Sequence, residues 1–131
     1  MPFPGNWFEE LIAEWLSLQG YMVEMNLRPR AGRGGGAFEI DVVGARIEKD
    51  ILKIKHVECM VQLVKKPEGK NVERILRKFD ERNVEAIQKF IESKLEGSPE
   101  RTEYEKILAV AYVSNEDGWR IKLSEYGIKL M

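Results

Sequence analysis

An α/β fold with a central mixed sheet flanked by helices is what this sequence predicts, and three observations predict it. Apolar residues recur at helical spacing over 7–19 and 72–95. Strand-like runs occupy 21–27, 37–47, 51–64, 107–113 and 119–123. Glycine, proline and asparagine fall at the junctions. In chain order the elements read αβββαββ. The 131 residues, 44% of them hydrophobic, suffice for one core without disulfide or metal staples, so residues 1–131 are expected to form a single domain.

Each element has a local reason. Asn6 is placed to cap a helix from Trp7 to Gln19, with Glu9 and Glu10 set favourably against its dipole and Gly20 as its stop. Trp7, Phe8, Leu11, Ile12, Trp15, Leu16 and Leu18 share one broad face, Glu10, Glu14 and Ser17 lie opposite, and Glu9 sits at the border. Trp7, Trp15 and Trp119 are therefore assigned to the core rather than to base stacking. Tyr21–Leu27 reads as a strand, followed by a basic loop from Arg28 to Gly36 that carries Arg28, Arg30 and Arg33 together with Gly32, Gly34, Gly35 and Gly36. Ala37–Ile47 and Ile51–Val64, joined by Glu48-Lys49-Asp50, read as an antiparallel hairpin that Pro67 and Gly69 end. Val72–Leu95 reads as one helix with Asn83 as a candidate kink, broken by Gly97-Ser98-Pro99. Ile107–Val113 suits a strand covered on both faces, and a turn at Asn115–Gly118 leads into a last strand, Trp119–Leu123.

Composition excludes several classes. No stretch approaches the roughly 18 apolar residues of a membrane span, and Met1-Pro2-Phe3-Pro4 lacks the pattern of a signal peptide, so a soluble, cytoplasmic protein without membrane contact is expected. The single cysteine, Cys59, rules out a disulfide within the chain. Lys and Arg number 21 against 22 Asp and Glu, so attraction to nucleic acid has to come from local patches.

Strand alternation points to one such chemistry. Residues two apart share a face, so Glu39 and Asp41 point one way in the second strand, and His56, Glu58, Met60 and Gln62 share a side of the third. A hairpin that sets Asp41 opposite Glu58 brings two carboxylates together, and Glu9 at the helix border can complete the cluster. Such hard oxygen ligands suit Mg²⁺ or Mn²⁺, which polarise phosphate and activate water. Taken singly, Glu9 is also an ordinary first-turn carboxylate and Glu58 a solvated edge-strand residue. Asp41 is harder to dismiss, because Asp is depleted in strand interiors. His56 is either an extra ligand or proton carrier, or a partly buried polar residue at the end of the sheet.

The segments Gly5-Asn6-Trp7-Phe8-Glu9, Gly20-Tyr21, Glu39-Ile40-Asp41-Val42-Val43 and Val57-Glu58-Cys59 occur in an order that resembles the PD-(D/E)XK nuclease superfamily. The likeness is greatest to its archaeal Holliday-junction resolvase and Mrr-type restriction endonuclease branches, and Ser124 to Leu130 is similar to the closing segment of Mrr-type domains. The resemblance implies a restriction-endonuclease-like core and a metal-dependent DNA endonuclease, with Glu9, Asp41 and Glu58 as catalytic metal ligands. It also implies a homodimer. One position departs: Met60 stands where the family has a lysine, and a thioether carries no charge and donates no hydrogen bond. Lys78 or Lys70 can replace that lysine if one of them reaches inward, whereas Lys53 and Lys55 lie on the opposite strand face. The alternative is a catalytically inactive nuclease-like domain that binds DNA or a protein partner.

A DNA surface has two candidate patches. One is the loop carrying Arg28, Arg30 and Arg33. The other runs from Lys65 to Arg82, where seven basic residues, Lys65, Lys66 and Lys70 among them, face four acidic ones. The second patch reads equally well as an ordinary charged helix face.

Overall fold

The computed structural model describes residues 7–27, 40–95, 97 and 99–131. Asn6, Glu39 and the arginines Arg28, Arg30 and Arg33 lie outside these residues.

Helix α1 (Trp7–Leu18) ends as expected at Gly20. Gly20 takes φ +88°, its N–H donates to the Ser17 carbonyl and the Tyr21 N–H reaches back to the Leu16 carbonyl, which together make a Schellman stop. Strands β1 (Met22–Leu27), β2 (Ile40–Glu48) and β3 (Ile51–Leu63) follow, each antiparallel to the one before. Lys49 and Asp50, at φ 52° and 64°, form the two-residue turn of the β2–β3 hairpin. The chain then crosses over through α2 (Lys70–Lys78) and α3 (Glu81–Ser93) to β4 (Arg101–Val113), which lies parallel to β3. Helix α4 (Glu116–Ser124) leads to the short β5 (Ile128–Leu130), parallel to β4. The result is a five-stranded mixed sheet in the order β1-β2-β3-β4-β5, with β3 at its centre and helices on both faces.

Three expectations need correction. Residues 72–95 are not one helix: the break falls at Phe79-Asp80, where the Asp80 carboxylate caps α3 by accepting the Asn83 N–H at 2.8 Å. Asn83, the expected kink, is a buried residue of the first turn of α3 instead. Trp119–Leu123 is helix, not strand. Asn115 caps α4, and Trp119 and Leu123, four apart, are buried while Ile121 between them is 65% exposed. The element order is therefore αβββααβαβ, not αβββαββ. Finally, the apolar face of α1 is only partly used. Ile12 and Leu16 are buried, whereas Trp7 at 41%, Trp15 at 38%, and Leu11 and Leu18 line an exposed stripe.

Three packed groups hold the layers together. Ile12 and Leu16 of α1 pack on Val42, Val57, Ile107 and Ala109 on one face of the sheet. A Cβ at Gly44 would come within 3.2 Å of Leu16 Cδ1 and Tyr21 Cβ, so glycine there permits the close approach of α1. On the other face Ile87 and Ile91 of α3 cover Leu52, Ile54, Val43 and Ile40. Val72, Ile75 and Phe79 join Leu108, Trp119 and Leu123 under α2 and α4. Among the described residues no helix is long and apolar enough to cross a membrane.

Candidate functional site

Asp41 and Glu58 meet where the β2–β3 ladder stops. Val42 pairs with Val57 as the last partners in the hairpin register, and Asp41 and Glu58 are the next residues of their strands. There the Asp41 N–H donates to Glu58 Oε2 at 3.0 Å, and the Cys59 N–H donates to Asp41 Oδ2 at 2.8 Å. Buried strand N–H groups need acceptors, and each carboxylate supplies one to the opposite strand in place of a carbonyl. This gives Asp41 a local reason to occupy a strand interior. Glu58 is only 3% exposed and sits on the central strand, so it is not a solvated edge residue.

His56 lies deeper on the same side of β3 as Glu58. It is completely buried in the middle of the sheet rather than partly buried at its end. Phe79 covers the imidazole with ring centroids 4.6 Å apart, and Tyr104 meets it edge-on. The Tyr104 hydroxyl is 2.8 Å from Nδ1, while Nε2 is 3.6 Å from Glu58 Oε2 and has no hydrogen-bond partner. Burial, and after it the Glu58 charge, pushes the Tyr104 hydroxyl far above its ordinary pKa.

The thiol of Cys59 registers the surrounding charges. Burial chiefly, and then the Asp41, Glu9 and Glu58 carboxylates in that order, push it up to about 12, while Lys78 pulls the other way. Glu9, Asp41, Glu58 and Lys78 thus share one electrostatic neighbourhood, although Glu9 arrives on α1, the helix on the sheet face opposite α2. Among the described residues, no three of the His, Cys, Asp and Glu side chains are grouped closely enough to hold a metal ion together. Lys78, Met60 and Lys65 line a 390 Å³ cleft with Gln62, Asn71 and Arg74. Met60 also packs against the cluster containing Leu63 and Ile75. A larger groove of 820 Å³ between β1, β2 and the end of α3 holds none of the candidate residues.

No protein-family model matches the chain, and no curated protein matches it in sequence.

Lys65, Lys66 and Lys70 are exposed on the β3–α2 connection and the start of α2. Lys53 lies 3.2 Å from Glu48, and Lys55 sits over the Trp15 and Tyr21 rings beside Glu105, on the α1 face and away from Glu58. The loop arginines Arg28, Arg30 and Arg33 are outside the described residues. Sequence reasoning missed Tyr104, because its place beside His56 follows from the parallel register that pairs it with Ile54. No sequence pattern fixes that register.

Proposed function

We propose that the chain is a restriction-endonuclease-like nuclease domain that binds DNA and hydrolyses its phosphodiester bonds, with Asp41 and Glu58 holding Mg²⁺ or Mn²⁺ and Glu9 adding negative charge to the neighbourhood. The bonding of the Glu58 carboxylate to the Asp41 N–H and of the Asp41 carboxylate to the Cys59 N–H carries this reading: it fixes two hard-oxygen donors side by side on neighbouring strands. Two carboxylates fit Mg²⁺, which commonly takes one or two from the protein and completes its shell with water and phosphate oxygens. When bound, the metal supplies Lewis acidity toward phosphate. Each carboxylate engages one oxygen with backbone and has a second to offer.

The cation that Met60 lacks comes from Lys78, which lines the same cleft as Met60 and acts electrostatically on Cys59. Its ammonium offsets the negative charge that develops on phosphate. Lys65, Lys66 and Lys70 contact the DNA backbone and position it without reading sequence. The order of α1 and the antiparallel β1, β2 and β3, then a helical crossover to a parallel β4, is in keeping with a nuclease core.

A second reading has its own observation. Both carboxylates already satisfy strand N–H groups, as they would in a noncatalytic domain that keeps the fold for DNA binding. Titration with Mn²⁺, followed by assays on branched, nicked and linear DNA, separates the two. Metal-dependent cleavage lost in Asp41→Asn and strongly reduced in Lys78→Ala supports the nuclease. Binding of DNA without cleavage supports the second reading, and the absence of both DNA and metal binding removes both. For either reading, Lys65→Ala and Lys70→Ala should each lower the salt dependence of DNA affinity, by a slope of about 0.9 on logarithmic axes.

A further inference from the structure

The buried side chains behind Glu58 form a polar line whose order follows from donor and acceptor chemistry. A neutral imidazole has one N–H and one lone-pair nitrogen. Nε2 faces Glu58 Oε2 at 3.6 Å, an oxygen that already accepts the Asp41 N–H at 3.0 Å. A lone pair on Nε2 would oppose those of the carboxylate, so the ring proton belongs on Nε2. Nδ1 is then the acceptor, and the Tyr104 hydroxyl, 2.8 Å away, is its donor. Burial keeps the proton on that hydroxyl, in agreement with this direction. Phe79 on one side and complete burial on all sides fix the ring plane, so the N–H has a single direction in which to point.

We propose that Tyr104 and His56 are positioning residues that aim the Glu58 carboxylate: Tyr104 locks His56 in its Nε2–H form, and that N–H draws Glu58 Oε2 toward the core. The Asp41 N–H donates to Oε2 and the His56 ring faces the same oxygen at 3.6 Å, so Oε1 is the oxygen of Glu58 left for a divalent cation. At 3.6 Å the His56 contact is longer than a hydrogen bond and leaves Nε2 without a hydrogen-bond partner, and a small shift of the Glu58 side chain would close it. The role assigned to His56 is thus a fixed donor, neither a metal ligand nor a proton carrier. This rests on the reading of Asp41 and Glu58 as a metal-binding pair.

The chain has one histidine, so its ring nitrogens are read without ambiguity by long-range ¹H–¹⁵N correlation at about pH 8. The wild type should show the Nε2–H pattern, and Tyr104→Phe, which keeps the ring volume, should show a mixture of tautomers. In parallel, Mn²⁺ titration should find Tyr104→Phe and His56→Leu weakened by about tenfold, with His56→Gln, whose amide keeps a donor near the Nε2 position, close to wild type. An Nδ1–H pattern in the wild type overturns the relay. So does unchanged Mn²⁺ affinity in Tyr104→Phe, which decides the matter even if His56→Leu fails to fold. A wild-type protein that binds no Mn²⁺ overturns the metal reading and the relay together, an outcome distinct from metal binding that ignores Tyr104.

Discussion

Asp41 has two separable tasks, closing a hydrogen bond in the sheet and carrying charge. The Asn side chain keeps an acceptor for the Cys59 N–H, so Asp41→Asn should unfold in urea close to wild type while losing Mn²⁺ binding. Asp41→Ala leaves that N–H without its partner and should cost about 1–3 kcal/mol. Cys59 and Tyr104 make a second prediction, for alkaline pH. The folded thiol is raised from 9.0 to about 12, and the Tyr104 hydroxyl is raised as well. Above about pH 9 the unfolded chain has therefore released a proton that the native chain still holds, so stability must fall as pH rises through the window toward 12. Thermal midpoints measured from pH 8 to 11 should drop, and Cys59→Ala should flatten the drop. The meeting of Asp41 with Glu58 was legible only as a condition: alternation gives each residue its face, but the register is set by the two-residue turn Lys49-Asp50, one residue shorter than the expected Glu48-Lys49-Asp50. The burial of His56 was not legible, because it depends on Phe79, which arrives only after a helix whose end the sequence hid.

At the scale of elements, the junction between α2 and α3 is held by two side chains. Asp80 caps α3, and the buried Asn83 amide reaches the Arg77 and Lys78 carbonyls at 3.5 and 3.4 Å. Asp80→Ala should cost about 1 kcal/mol as a lost cap. Asn83→Leu should cost about 1–3 kcal/mol, since it leaves the two carbonyls at the end of α2 without that donor, and both losses are measurable by urea unfolding. The junction was hard to read because Val72, Ile75, Leu76 and Phe79 run on into Val84 and Ile87 at nearly helical spacing. Helix α4 was misread for a different reason: in Trp119-Arg120-Ile121-Lys122-Leu123 the apolar residues alternate as in a strand, yet Trp119 and Leu123 also stand four apart as in a helix. Burial favours the helix, and the capping signal was present in Asn115 followed by Glu116 and Asp117.

For the molecule as a whole, β3 is the strand on which the rest depends, because it joins an antiparallel hairpin on one side to a parallel crossover on the other. Amide hydrogen exchange should therefore be slowest at Leu52–Val57 and Ile107–Ala109, which are mostly buried and paired, and much faster at Met22–Glu24 on the sheet edge. Equal protection of edge and centre would contradict this order. The indole of Trp119 ties a distant element to the candidate cleft: fully buried in α4, it donates to the Lys65 carbonyl at 2.9 Å, and Lys65 lines the cleft. The chain thereby carries its own optical probe. With Trp7 and Trp15 replaced by phenylalanine, the remaining blue-shifted emission comes from a ring bonded to the cleft's rim, so a ligand that shifts the rim should register as a change in the colour or quenching of one fluorophore.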